Sequence, residues 1–246
     1  MRIALCALVL ALAYPARPIT VYLAGDSTMA EKQPDKRPET GWGEALQQYF
    51  TDEVRIDNRA RNGRSTRTFI SEGLWQAIVD SLAPGDYVFI QFGHNDESQD
   101  KSDRYTPPED FRRNLVRFVS DARAKGATPV LFTPVRRRRF DKDGKLYDTH
   151  GEYPDIVRRV ATSERVALID MHGESGRVLT AFGAEPSRQL FLQLKPKENP
   201  NYPAGIEDNT HFSPGGAGVM AYVAVEAMRQ AHLDLVRYLR SEPRRR

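Results

Sequence analysis

Short β-rich apolar runs alternate along this chain with stretches of helical spacing, and three of the runs stop abruptly in a small polar cluster. Residues 19–24 (ITVYLA) lead into Gly25-Asp26-Ser27-Thr28, residues 54–60 into Asn62-Gly63-Arg64-Ser65, and residues 86–92 (DYVFIQF) into Gly93-His94-Asn95-Asp96. Further strands are expected at 128–132 and 166–169, and helices at 41–50, 71–82, 108–125, 153–164, after Asp170, and over 214–238. Strands alternating with helices imply an α/β fold, a three-layer α/β/α sandwich around a parallel sheet covered on both faces. The strands of such a sheet deliver their carboxyl ends to one edge, where ligand sites form.

At 246 residues, 40% of them hydrophobic and 28% charged, the chain has the composition of a soluble globular protein rather than a disordered or multi-span membrane one. No low-complexity linker interrupts it, so residues 19–240 are expected to form one domain. A net charge of +3 is no nucleic-acid signature. Met1-Arg2, an apolar run over 3–13 and the small residues Ala11-Leu12-Ala13 read as a cleavable export signal, with the cut between 13 and 18. An extracellular or periplasmic protein is therefore expected. Cleavage after Ala13 would remove the single cysteine, Cys6, leaving no disulfide framework. No other stretch approaches the 18 or so apolar residues a membrane span needs. Residues 241–246 read as a solvated basic tail, and a monomer is the default.

A fourth polar cluster, Asp208-Asn209-Thr210-His211, precedes the last helix. The four clusters together hold the parts of an acyl-transfer site. Ser27 is a candidate nucleophile, His211 the base that takes its proton, and Asp208 the carboxylate that fixes the imidazole. The backbone N–H groups of Ser27 and Gly63 and the Asn95 amide are candidate oxyanion donors. Taken singly each has a plainer reading: Ser27 as a turn residue, Asn95 as a strand-end cap, Asp208 and His211 as a loop-closing hydrogen bond or part of a metal site. The G-x-S-x-G elbow, the Walker A loop and the dinucleotide fingerprint are absent, and neither cysteine ligands nor an H-E-x-x-H pattern supports a metal. A short pseudo-repeat, Asp148-Thr149-His150-Gly151-Glu152 against Asp170-Met171-His172-Gly173-Glu174, is explained by aspartates capping two helices.

In order, Gly25-Asp26-Ser27, Gly63, Gly93-His94-Asn95-Asp96 and Asp208-x-x-His211 resemble the four blocks of the SGNH (GDSL-type) hydrolases. The segments VYLAGDSTMA, GWGEAL, NRARNGRSTRTF, QFGHND, DTHGEYP and DNTHF further resemble the rhamnogalacturonan acetylesterases of carbohydrate esterase family twelve. The resemblance implies a flavodoxin-like parallel sheet and a Ser27–His211–Asp208 triad with Ser27, Gly63 and Asn95 as oxyanion hole. It also implies removal of acetyl groups from galacturonate residues of pectic rhamnogalacturonan, with no metal or organic cofactor. The expected partner is an acetylated polysaccharide or oligosaccharide.

Because galacturonate carries a carboxylate, Arg64 and Arg67, close after Gly63, are expected to meet it, with His94 as a further substrate contact. The four arginines at 136–139 are either part of that surface or a solvated loop. Trp42 and Phe69 could stack on a sugar face, but Trp42 is expected in apolar packing under the Ser27 loop. An esterase acting on acetylxylan or another acetylated oligosaccharide, and a non-catalytic glycan-binding protein, are the rival readings.

Overall fold

The computed structural model describes residues 17–243, so the expected export signal and the last three residues of the basic tail lie outside the described residues. Five strands, β1 (Ile19–Gly25), β2 (Val54–Asn58), β3 (Tyr87–Gln91), β4 (Thr128–Phe132) and β5 (Ala167–Ile169), pair in parallel in the order β2-β1-β3-β4-β5. Alternate residues of each strand face opposite layers. Val21, Leu23, Phe89, Val130 and Phe132 enter one core, and Tyr22, Ala24, Val88, Ile90 and Leu131 the other.

The second core is covered by α1 (Thr66–Ser71), α2 (Leu74–Ser81), α3 (Pro108–Ala124) and α4 (Tyr153–Ser163). In α3 the residues Phe111, Leu115, Phe118, Val119 and Ala122 recur at helical spacing and are all buried. The first core is covered by α5 (Met171–Phe182) and α6 (Pro214–Gln230). Side-chain oxygens start both, Asp170 accepting from Gly173 N and Ser213 from Gly216 N. The three-layer architecture is the expected one.

Three segments depart from expectation. Residues 41–50 form two short 3-10 turns, Trp42–Ala45 and Gln47–Tyr49, rather than a helix. Gly41 and Gly43 press against the backbone of Met29 and Ala30, where an added Cβ would come within 2.1 and 2.6 Å of a carbonyl oxygen. This close approach seats Trp42, which is fully buried, against Phe132 and beneath the Ser27 turn. The expected 71–82 helix divides at Gly73, whose left-handed conformation separates α1 from α2. The last helix ends at Gln230, eight residues early, and a 3-10 turn over Asp234–Tyr238 follows.

The fourth polar cluster lies in a strand, not a loop. β6 (Phe191–Leu194) and β7 (Ile206–Phe212) make a two-stranded antiparallel sheet separate from the five-stranded one. Its register is irregular between Phe191 and Gln193, and Phe191 and Phe212 anchor it in the core. Thr40 N donates to Phe212 O at 3.1 Å, tying its end to the segment that follows the Ser27 turn.

Candidate active site

The four clusters converge on a cleft of about 600 Å³ lined by Ser27, Gly63, Asn95, Asp208 and His211 among others. Ser27 sits in the turn that ends β1, Gly63 in the loop after β2, and Asn95 in the loop after β3. β7 brings Asp208 and His211 to the same edge. Ser27 Oγ stands 2.8 Å from His211 Nε2, and His211 Nδ1 stands 2.7 Å from Asp208 Oδ2. The other carboxylate oxygen of Asp208 accepts the backbone N–H groups of Thr210 and His211 at 2.6 and 2.9 Å. Burial pushes this carboxyl up, but the bonds from His211 and the two backbone donors outweigh it and hold it below the ordinary range. The ionised Asp208 therefore keeps the His211 proton on Nδ1 and leaves Nε2 to accept from the Ser27 hydroxyl.

The backbone N–H groups of Ser27 and Gly63 donate to no other group among the described residues. Gly63 has φ +75°, which a residue with a Cβ adopts only under strain. Asn95 Nδ2 donates one hydrogen to Arg64 O at 3.0 Å, which fixes the amide and leaves its second hydrogen for another acceptor. A serine hydroxyl with a base, an oriented base and three unspent donors can perform nucleophilic attack on a carbonyl and hold the resulting oxyanion.

Behind Ser27 runs a buried polar chain. Trp42 Nε1 donates to Gln91 Oε1 at 3.0 Å, Gln91 Nε2 to Thr28 Oγ1 at 2.7 Å, and Thr28 Oγ1 to Asp26 Oδ1 at 2.8 Å. Burial raises the Asp26 carboxyl, and raises that of Asp96 to about 7. Asp96 Oδ1 accepts the N–H and hydroxyl of Thr66 at 2.9 and 2.6 Å, joining the Asn95 loop to α1.

Two of the arginines expected at the substrate are elsewhere. Arg64 pairs with Glu72 at 2.9 Å and donates to Asn62 O, while Arg67 donates to Ser102 O at 2.6 Å, and neither lines the cleft. Arg67 is exposed on α1, and Arg64, just before the helix cap Ser65, is held by Glu72 and the Asn62 carbonyl. The run at 136–139 divides its roles. Arg138 is buried and bonds Ser187, Asn209 and Ala184, Arg137 pairs with Glu97 and donates to His94 O, and Arg139 lines the cleft. Five cations line the cleft: Lys36, Lys101, Arg104, Arg137 and Arg139. Lys101 and Arg139 have no side-chain partner among the described residues.

His94 belongs to a second network. Its Nδ1 lies 3.3 Å from His150 Nε2, His150 Nδ1 lies 3.4 Å from Asp148 Oδ1, and His172 Nε2 lies 2.7 Å from that same oxygen. Asp148 is thus a shared acceptor for the two histidines of the pseudo-repeat rather than a helix cap. Burial leads the causes that lower all three rings, to about 4 for His150 and well below the ordinary value for His94. Burial would raise Asp148, yet the bonds from His150 and His172 keep it ionised. Ligand atoms of Asp148, His150 and His172 lie close enough to hold a metal ion. However, 2.7 Å is a hydrogen-bond separation, whereas two ligands of a tetrahedral zinc stand about 3.3 Å apart. Arg136, Arg137 and Arg158 also oppose a cation there. The cluster is best described as neutral rings donating toward one carboxylate, with buried His94 Nε2 left unpartnered at the cleft wall.

Residues 23–218 match the GDSL-like Lipase/Acylhydrolase family. The chain belongs to this family. The rhamnogalacturonan acetylesterase RhgT of Bacillus subtilis (strain 168) is 43% identical over 223 residues, 91% of this chain and 95% of the relative. The rhamnogalacturonan acetylesterase of Emericella nidulans is 46% identical over 231 residues, 85% of this chain and 84% of the relative. The solved structure of YxiM from Bacillus subtilis superposes with a TM-score of 0.76 at 26% identity, covering 89% of this chain and 58% of that one. Axe2, an acetylxylan esterase from Geobacillus stearothermophilus, superposes at 0.61 with 16% identity over 92% of this chain and 98% of that one, a likeness of fold.

Sequence reasoning missed Lys32 and Glu39, buried charged residues that pair at 2.8 Å beside Ser27. In the sequence they sit in a run dense with charge and proline, which reads as solvated. Gln91 was detectable as the one polar residue near the end of an apolar strand.

Proposed function

We propose that this GDSL hydrolase is a serine acetylesterase that removes O-acetyl groups from an anionic pectic polymer of the rhamnogalacturonan type. The observation that carries the reading is the Ser27 Oγ–His211 Nε2 contact of 2.8 Å, facing a cleft where three donors are unspent. Ser27 Oγ attacks the acetyl carbonyl carbon as His211 Nε2 takes the hydroxyl proton. The Ser27 and Gly63 N–H groups and the Asn95 amide receive the oxyanion. Collapse breaks the bond to the sugar oxygen, which takes the proton from His211 and leaves as the alcohol. Water then gives a proton to His211 and its oxygen to the acetyl-enzyme, releasing acetate and restoring the Ser27 hydroxyl.

Substrate polarity follows from the cleft wall. Lys101 and Arg139 have no counter-ion among the described residues, and a uronate carboxylate supplies one, which favours this polymer over neutral acetylxylan. The names of the B. subtilis and E. nidulans relatives support the same substrate. The apolar residues 3–13 support a site of action outside the cytoplasm, checked by N-terminal sequencing of enzyme recovered from the medium.

Acetate release from acetylated rhamnogalacturonan by the wild-type enzyme and by Ser27→Ala tests the proposal. The variant is expected to lose at least ~10³-fold in rate. Retained activity in Ser27→Ala would overturn the mechanism, and a wild-type enzyme preferring acetylxylan would overturn the substrate.

A further inference from the structure

One buried ion pair has no part in the steps above. The Lys32 side chain has no exposed surface, and its ammonium meets three acceptors: Ser27 O, Asn62 Oδ1 at 2.9 Å and Glu39 Oε1 at 2.8 Å. An ammonium carries three donors, so every one is matched. A dehydrated cation is tolerated only with such a set, which means the three acceptors are held in fixed relation to one another.

The acceptors come from three segments that meet at the reacting atoms. Ser27 O belongs to the residue that carries the nucleophilic Oγ. Asn62 precedes Gly63, so its side chain anchors the loop that presents the Gly63 N–H. Glu39 Oε1, besides holding Lys32, stands 4.0 Å from His211 Nε2, the atom that takes and returns the proton. Glu39 is itself next to Thr40, which is bonded to the end of β7, so the clamp also reaches the strand that carries His211.

We infer that Lys32 and Glu39 are positioning residues: Lys32 locks the Ser27 turn and the Asn62–Gly63 loop in register, and Glu39, oriented by Lys32, lends negative charge to the protonated His211. The inference rests on the serine esterase reading. Other titratable or charged groups around His211 are Asp208 on its own strand, Asp26 behind Ser27, His94 from the loop after β3, and, lining the same cleft, Tyr202 and the five cations named above. The test leaves all of them unchanged.

Hydrolysis of 4-nitrophenyl acetate, an ester with no sugar, is followed from pH 5 to 9 for the wild type, Glu39→Gln, Lys32→Met and the double variant, with folding checked by circular dichroism. Lys32→Met is expected to lower kcat by about 30-fold with KM changed less than about twofold, the pattern of lost orientation rather than lost binding. Glu39→Gln, nearly isosteric, is expected to move the acid limb of kcat/KM to lower pH by at least about half a unit, because the imidazolium loses a neighbouring anion. The double variant is expected to be no worse than Lys32→Met, since the two act as one unit. A Glu39→Gln enzyme with the wild-type limb and kcat overturns the inference, and that variant decides the matter if Lys32→Met does not fold. Losses that multiply in the double variant also overturn it. An inactive wild type would instead remove the esterase reading itself.

Discussion

The Arg64 guanidinium donates to the Asn62 carbonyl oxygen at 2.9 Å and so sets the direction of the next N–H. The Asn62–Gly63 peptide is trans, so a carbonyl held on the outer side turns the Gly63 N–H the opposite way, toward the cleft. Arg64 O meanwhile holds the Asn95 amide. One residue outside the cleft thereby aims two of the three proposed oxyanion donors. Arg64→Ala is expected to reduce kcat by about 10-fold with KM nearly unchanged. Steady-state kinetics on a small acetate ester reads this, and a rise in KM alone would assign Arg64 to binding instead.

Gly63→Ala should harm both stability and rate. The φ of +75° costs a Cβ-bearing residue about 1 kcal/mol. The added carbon would also lie 3.2 Å from Arg104 Nη1, forcing that side chain to shift within the cleft. Urea unfolding is expected to show a loss of about 1 kcal/mol and kinetics a fall of about 10- to 100-fold in kcat.

Charge reversal at Lys101 or Arg139 should discriminate between polymers. Each variant is expected to lose about ten times more kcat/KM on acetylated rhamnogalacturonan than on neutral acetylxylan, with the difference shrinking at high salt. Equal losses on the two polymers would assign the residues to general support of the cleft.

The buried histidines predict acid sensitivity. His150 titrates near 4 in the folded protein, because of burial first, against an ordinary value of 6.5. Its folded pKa is depressed, so below 6.5 the unfolded chain gains a proton that the folded one refuses, and stability falls until pH 4. The loss from His150 alone is about 3 kcal/mol. Asp96, raised by burial to about 7, acts in the opposite sense, lowering stability as pH rises from 4 to 7. Thermal midpoints across pH 4 to 8 should therefore show a shallower acid limb for His150→Asn than for wild type. For Asp96→Asn they should show a smaller decline above pH 4.

The apolar strands and amphipathic helices were legible because their periods, two and 3.6, are written in the same residues that build the two cores. Ser27, Gly63 and Asn95 were legible because each lies within five residues of the end of such a strand. β7 was not, since Glu-Asp-Asn-Thr-His is a poor strand former in isolation and depends on pairing with β6 and on Phe212 in the core. Lys32 and Glu39 were hidden for a related reason: charge signals exposure until tertiary structure supplies its partner. The place of Arg64 outside the cleft is not written in its proximity to Gly63, because a sequence does not say which side of a turn a side chain leaves from.

Ser27 rides on the five-stranded sheet and His211 on the separate two-stranded ribbon. The bond between them spans two bodies that share no hydrogen-bond ladder and are joined by packing, by the Thr40–Phe212 backbone bond and by the bonds from Arg138 to Asn209. A tilt of the ribbon too small to melt either sheet would lengthen that 2.8 Å contact and stop proton transfer. On heating, the enzyme should thus fall silent before it unfolds, and recover on cooling for as long as the larger sheet has held.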